Sequence, residues 1–320
     1  MIERAGELAA LGTASCWVIT ALSFEASGKR IGSLSLNLVR LTLAMVPLAV
    51  WGWFTRGAAL PLDADLHTWL WLGLSSLVGF VFGDLCLFRA FVYLGPRLTT
   101  LVMASVPVWA ALFGLVFLGE TLETREVLGM AATVGGIAWA VAKRERPAEP
   151  AAEDESEDEN ENESEGDGPP ALPGGLLGVL TGGLAMALAG SLGQAGGLVL
   201  SKYGMADYDA FAATQIRVIV AVAGFAVVVT ASSWWPKVRV ALRDKPAMGF
   251  AAIGAIFGPF LGVGLSLIAV KLAPTGVAAS LMALTPILML PISWLRGEKI
   301  GLAGLLGALI AVGGVALLLL

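Results

Sequence analysis

Four ionisable side chains interrupt long apolar stretches in the first half of this 320-residue chain. Glu25 ends the first stretch, Arg40 lies early in the second, and Asp84 and Arg89 lie late in the third. An ionisable group within a membrane span costs several kcal/mol unless it is paired or hydrated, so such residues mark ion pairs or solute paths. A carboxylate in such a place can also take up and release a proton during transport. We therefore predict Asp84 and Glu25 as coupling residues.

The spacing of these four groups favours ion pairs between helices. Asp84 and Arg89 are five positions apart, about 140° around a helix axis, so they do not face each other. Arg40 can pair with Glu25 or with Asp84. Structural ion pairing and snorkelling to the membrane surface are the alternatives to a transport role.

The second half carries basic residues at the corresponding positions. At an offset of 177, Arg217 matches Arg40 and Lys202 replaces Glu25, while Glu120 is the obvious acidic partner on that side. A guanidinium group holds a carboxylate or phosphate by two parallel hydrogen bonds. We predict that Arg217 binds an anionic group of a substrate and that Arg40 is mainly paired within the protein.

Further polar residues and prolines lie within the apolar stretches. An amide, a hydroxyl or an indole can line a solute path, although Trp17 can equally fill the core. A proline removes a helical hydrogen bond and can kink or hinge a span. The substrate-binding candidates are Arg217, Arg40, Trp17, Gln194, Gln215 and Asn37, and the hinge candidates are Pro107, Pro286 and Pro259.

The elements that position these residues follow from composition. Hydrophobic residues make up 57% of the chain and charged residues 14%, whereas about 25% is charged in a soluble domain. Ten continuous apolar stretches, most of them long enough to cross the hydrocarbon core, predict transmembrane helices. The predicted spans are Leu8–Phe24, Leu34–Trp53, Trp69–Leu94, Leu98–Leu118, Val127–Ala142, Leu176–Leu200, Ala210–Thr230, Ala247–Val270, Thr275–Leu295 and Ile300–Leu320.

The two halves of the chain repeat each other at an offset of 178 residues. Pro96 matches Pro274, and Gly119-Glu120 matches Gly297-Glu298. Because each repeat contains an odd number of spans, the second copy enters the membrane inverted, a construction typical of transporters. We predict an all-α integral membrane fold of ten transmembrane helices in two inverted five-helix repeats.

An acidic segment separates the repeats. Residues 149–167 contain eleven acidic residues and no basic ones, so this segment is predicted to be a disordered linker rather than a sensor. The predicted domains are 1–144 and 174–320, two five-helix repeats joined by the linker at 145–173.

The distribution of Lys and Arg predicts the orientation of the chain. With X denoting the side of the N terminus and Y the opposite side, X-side loops carry five such residues and Y-side loops twelve. Basic residues concentrate in cytoplasmic loops, so Y is predicted to be cytoplasmic. Glycine stripes in spans five and ten predict close helix packing within the bundle, or else a homodimer contact.

Two motifs carry a resemblance to a known family. They are "MASVPVWAALFGLVFLGETL" and "MALTPILMLPISWLRGEKI", each with a mid-span proline and a terminal Gly-Glu, and each is followed by a Gly-Gly helix. With the Cys16-Trp17 pair of the first span, the chain resembles the drug/metabolite transporter superfamily, EamA type. Val18 stands where the family commonly has Gly, and the second motif is one residue shorter between Pro and Glu. The resemblance implies cytoplasmic termini, against the charge distribution.

Features of enzymes and nucleotide-driven pumps are not found in the sequence. His67 is the single histidine, and no metal-ligand spacing, Ser-His pair or phosphate-binding glycine loop occurs. We expect no enzymatic activity, no cofactor and no nucleic-acid partner. The expected function is a secondary transporter of the cell membrane that exports a small polar, anionic or zwitterionic metabolite or a drug by alternating access. A lipid flippase and a non-transporting scaffold are the alternatives.

Overall fold

The computed structural model describes residues 4–142, 175–295 and 301–319, and these ranges fold into helices without strands. We number the ten longest helical segments in chain order. They are α1 (Ala5–Ile31), α2 (Ser33–Arg56), α3 (Leu66–Gly95), α4 (Leu98–Leu118), α5 (Thr124–Ala142), α6 (Gly175–Met205), α7 (Ala210–Ala231), α8 (Lys245–Leu272), α9 (Thr275–Ile292) and α10 (Leu302–Leu319).

The lengths and composition of these helices agree with a multi-pass membrane fold. Nine helices in the described residues are long and apolar enough to cross a membrane, and the 19-residue α5 is not among them. The tenth span therefore stays a prediction. The acidic segment 149–167 and the pair Gly297-Glu298 lie outside the described residues.

Aspartate side chains cap the N termini of three helices. Asp65 accepts a hydrogen bond from Thr68 N at 2.8 Å, and Asp209 accepts one from Ala212 N at 2.8 Å. Asp244 does the same for Ala247 N at 3.0 Å. These caps satisfy backbone donors that the first turn of a helix leaves without partners, and they fix the starts of α3, α7 and α8.

The two halves share irregularities at equivalent positions. A π-helical segment, Leu77–Gly83, interrupts α3, and its counterpart Ile256–Gly262 interrupts α8 at an offset of 179. Turns also break α4 at residues 104–105 and α9 at 283–284, just before the mid-span prolines Pro107 and Pro286. Such π segments recur at functional sites, and here they lie where the two halves meet.

The two halves interleave rather than stand side by side. The first helix of each half packs against the third helix of the other, α1 on α8 and α6 on α3. Other helices also pack against a partner from the opposite half: α2 against α7, α4 against α9, and α5 against α10. The bundle interior is therefore built from both repeats, and any movement of one repeat changes the shape of that interior.

Glycines pack α5 directly on α10. A Cβ on Gly136 would lie 2.4 Å from Ala311 N, and one on Gly314 would lie 2.5 Å from Thr133 N. A Cβ on Gly307 would lie 2.7 Å from Ala140 N, and one on Gly129 would lie 2.9 Å from the side chain of Leu318. These glycines therefore allow close contact inside the chain, the first of the two roles that the sequence left open.

Candidate functional site

A cavity of about 340 Å³ lies between the two halves. Most of its wall is apolar, with Phe80, Met103 and Met282 among the larger side chains. Leu87 and Met103 come from the parts of α3 and α4 nearest the Y side, so the cavity reaches from the middle of the bundle toward Y. The charged, hydroxyl and amide side chains in its wall belong to Thr20, Arg40, Asp84, Thr100, Gln194 and Thr285.

An ion pair forms the polar end of this cavity. Arg40 donates a hydrogen bond from Nη2 to Asp84 Oδ2, and only 15% and 9% of the two side chains are exposed. Gln194 donates from Nε2 to Asp84 Oδ1 at 2.9 Å and to Gly79 O at 3.3 Å. Of the two partners that the sequence allowed for Arg40, the structure selects Asp84. The cluster joins α2 and α3 of the first repeat to α6 of the second.

Local backbone structure explains how Asp84 meets Gln194. Asp84 directly follows the π-helical segment, which ends at Gly83. A Cβ on Gly193 would lie only 3.0 Å from the Cα of Gly83, so α6 approaches α3 backbone to backbone at this point. The absence of side chains on both glycines brings the amide of Gln194 within reach of the carboxylate.

Arg217 lies behind this cavity rather than in its wall. The residue is 4% exposed, and its guanidinium carbon lies 4.4 Å from the centroid of the Phe80 ring. Within the described residues the guanidinium makes no hydrogen bond or ion pair, and its Nε is buried without a partner. Asp84 lies beyond ion-pair distance but within the range of electrostatic interaction. Phe80 thus separates Arg217 from the cavity.

Glu120, the acidic partner predicted for the basic residues of the X side, pairs with Lys202 and not with Arg217. It accepts from Lys202 Nζ at 2.7 Å and from the backbone N and Oγ1 of Thr275, each at 2.8 Å. Lys202 also donates to Ala273 O at 2.8 Å. This group, which we call the X-end latch, ties α4 of the first repeat to α6 and α9 of the second.

A second network lies at the same end of the bundle. Arg56 donates to Asp63 and, at 3.0 Å, to Tyr208 Oη, while Tyr208 donates to Asp63 at 2.9 Å. The hydrogen bond from Arg56 lowers the pKa of Asp63, and burial raises the pKa of Tyr208 to about 12. Lys271 donates to Tyr208 O at 3.0 Å. With Asp63 ionised and Tyr208 neutral near pH 7, this network ties the end of α2 and the loop that follows it to the loop between α6 and α7.

Several residues predicted from the sequence lie away from the cavity. Glu25 pairs with Lys29 at 2.8 Å, and 48% of its side chain is exposed. Gln215 donates to Ala59 O at 2.8 Å, and Asn37 donates to Ser33 O at 3.1 Å. Gln215 therefore binds a loop carbonyl of the first repeat and Asn37 binds a carbonyl of its own helix, and neither residue lines the cavity.

Trp17 and Gln194, together with Pro259 and Pro286, do line the cavity, whereas Pro107 is buried beside it. The structure brings these residues to one place, and their binding and hinge roles stay predictions.

The apolar residues of the cavity wall could not be predicted from the sequence one by one, because single apolar residues in apolar spans carry no positional signal. The repeat does contain a positional signal for them. Met103 and Met282 are 179 positions apart, as are Ala104 and Ala283, and all four line the cavity. Equivalent residues of inverted repeats meet at the pseudo-twofold axis, so comparison of the two halves identifies both walls together.

Comparisons with known proteins agree with this architecture. The model of the EamA-like transporter family matches residues 4–142 and 181–320. The chain belongs to this family. Its members are transporters of the drug/metabolite type, and the protein is an integral multi-pass membrane protein.

A solved structure, titled "Crystal structure of protein", has the same fold. It superposes with a TM-score of 0.67 at 17% sequence identity, over 98% of this EamA-like chain and 95% of the other. No curated protein matches the sequence.

Proposed function

We propose that this EamA-like protein is a secondary transporter of the plasma membrane that exports a small amphipathic solute carrying an anionic group. The observation that carries the proposal is the central cavity, which has apolar walls and one charged end. Ligand sites typically combine apolar lining with a few convergent polar groups. Both repeats contribute to this cavity, which suits alternating access about one central site.

The charges around the cavity favour an anion. Asp84 is the one carboxylate that the described residues place in its wall, while Arg40 lies in the wall and Arg217 lies behind Phe80. With the usual ionisation of these groups, the cluster carries one net positive charge. A substrate carboxylate or phosphate would neutralise that charge, whereas a cation would add to it. The apolar wall would hold the rest of the solute.

The two ends of the bundle suggest the direction of loading. The X end is tied by the X-end latch and by the Arg56–Asp63–Tyr208 network, and the cavity extends toward Y. If Y is cytoplasmic, as the Lys and Arg distribution predicts, the structure is an inward-facing state. An exporter loads its substrate from that state.

A matched series of solutes tests the proposal. Proteoliposomes containing the purified full chain would be assayed with 3-phenylpropionate, phenylalanine and phenethylamine, which share an apolar body and carry an anionic, a zwitterionic and a cationic group. We expect flux of the first two, stimulated by a pH gradient, and no flux of the third. Arg40→Gln should abolish this flux, and Arg89→Gln, at an exposed arginine of α3, should leave it unchanged.

Flux of phenethylamine alone would overturn the assigned substrate charge. Equal flux of all three solutes in the Arg40→Gln variant would overturn the assigned site. Outward pumping of 3-phenylpropionate from inside-out vesicles of known orientation would decide between export and uptake.

A further inference from the structure

Asp84 pairs with only one of two arginines that the repeat makes equivalent. Arg40 and Arg217 are 177 positions apart, and each occupies the second helix of its half. Asp84 pairs with Arg40 and interacts electrostatically with Arg217. Its own counterpart, 179 positions on, is Val263, which carries no charge. Among the described residues, the site therefore has no second acid at the position equivalent to Asp84.

We propose that the anionic group of the substrate displaces Asp84 from Arg40 and that Asp84 then pairs with Arg217. This inference rests on the proposed function and assigns its substrate-binding step. No covalent bond is made or broken in the exchange, and no proton moves. One carboxylate–guanidinium pair becomes two, because the substrate supplies the missing second anion.

The energetics of buried charges require such a replacement. A buried charge that loses its partner destabilises a protein strongly, because desolvation is no longer offset by ion pairing. Asp84 is nine-tenths buried and could not be released into an apolar wall alone. Arg217 offers a guanidinium that makes no hydrogen bond within the described residues, including a buried Nε without a partner. The release of Asp84 and the satisfaction of Arg217 are therefore favourable together.

The local geometry can carry the movement. Phe80 lies between Arg217 and the cavity, and Asp84 follows it by four residues along the π-helical segment of α3. A Cβ placed on Gly79 would lie 3.5 Å from Nη2 of Arg217, so the guanidinium lies against the glycine backbone beside that segment. Regularising the π turn would rotate Asp84 relative to Arg217 and carry Phe80 with it. Substrate binding would thereby reshape α3, which belongs to the first repeat and packs on α6 of the second.

The exchange predicts energetic coupling between Asp84 and Arg217 in substrate binding. Binding of 3-phenylpropionate to the full-length protein in detergent would be measured for the wild type and three variants: Arg217→Gln, Asp84→Asn and the double variant. Arg217→Gln should weaken binding at least about tenfold, because the displaced Asp84 finds no partner. In the Asp84→Asn background the same substitution should change affinity less than about twofold.

The outcomes separate this mechanism from its competitors. If Arg217 contacts the substrate directly, Arg217→Gln weakens binding equally in both backgrounds, and the exchange is overturned. If the wild type binds no 3-phenylpropionate, the proposed substrate class fails, and the exchange fails with it.

A second variant keeps the test decisive if the double variant does not fold. Arg217→Lys retains a cation for the released Asp84 and should keep affinity within about threefold of the wild type. A loss as large as that of Arg217→Gln would contradict the exchange. The Arg89→Gln protein provides the matched control for removal of a positive charge.

Discussion

Arg40 and Arg217 occupy equivalent positions in the two repeats, yet only one of them has an ion-pair partner among the described residues. Arg40 pairs with Asp84 in the cavity wall, whereas Arg217 is buried against Phe80 without a hydrogen bond to any described residue. The difference arises because α3 carries an acid after its π segment and α8 carries Val263 at that place. An inverted repeat can therefore keep its fold symmetric while its electrostatics are asymmetric.

Of the predicted changes, removal of the Asp84 carboxylate should have the largest effect on transport. Asp84→Asn makes both arginines equally unpaired, and we expect it to abolish transport driven by a pH gradient. The same variant should still bind 3-phenylpropionate, because Arg40 no longer has an internal competitor. Flux in proteoliposomes, normalised to reconstituted protein, provides the measurement.

The matched control for Asp84 is Asp207→Asn, which changes an exposed carboxylate in the loop between α6 and α7. Normal gradient-driven flux by Asp84→Asn at normal protein levels would remove Asp84 from the coupling step.

The next largest difference is expected in thermal stability, which should distinguish the Arg40 and Arg217 variants. Arg217→Gln removes a charge that has no hydrogen bond in the described residues, so thermal stability in detergent should stay constant or rise. Arg40→Gln should lower it moderately, because Asp84 can turn to Arg217. The double variant leaves Asp84 without either cation and should lose about 3–5 kcal/mol.

That loss should exceed the sum of the two single effects. Melting curves of the four proteins form the cycle, and additive shifts would show that the two arginines do not share Asp84.

The X-end latch offers a smaller, conformational perturbation. Glu120→Gln removes the ion pair to Lys202 and weakens the acceptor for Thr275. We expect the X end to open more often, which should raise labelling of an introduced Ala279→Cys from the X side by about threefold. The assay needs Cys16 and Cys86 replaced.

Glu123→Gln, at an exposed acid close to Glu120 in sequence, should leave that labelling unchanged. Labelling that rises equally in both variants would mean that the latch does not hold the X end closed.

The smallest effect is expected outside both arginine sites. Replacement of 149–167 by a neutral Gly/Ser segment of equal length should keep flux within about threefold, because a tether depends on length more than on charge. A large loss of flux in a well-folded replacement would assign the acidic residues a partner. It would also show that charge matters outside the cavity.

Much of the fold follows from local patterns in the sequence. Continuous apolar runs specify membrane helices because backbone groups in lipid must be satisfied within the segment. The aspartate caps and Gly57 and Gly119, in the left-handed conformation at helix ends, mark boundaries. The offset between the halves identified the repeat, and nine of the ten predicted spans are long apolar helices in the described chain.

The site was only partly predictable, for a physical reason. The sequence identified Asp84, Arg40, Arg217 and Gln194 as polar residues in an apolar phase, where each must have a partner or a function. It could not assign the partners, because pairing depends on which helices touch. On sequence position alone, Glu120 could pair with any basic residue of the X side, and the packing of the repeats brings it to Lys202.

By itself, the sequence therefore determined that the protein lies in a lipid bilayer, that it contains two repeats, and which buried residues need an explanation. These properties follow from composition and periodicity, which act locally along the chain. Only the tertiary structure decided that Asp84 pairs with Arg40 and lies within electrostatic range of Arg217. That arrangement depends on the glycine contact between α3 and α6 and on a π segment that turns one carboxylate toward the other repeat.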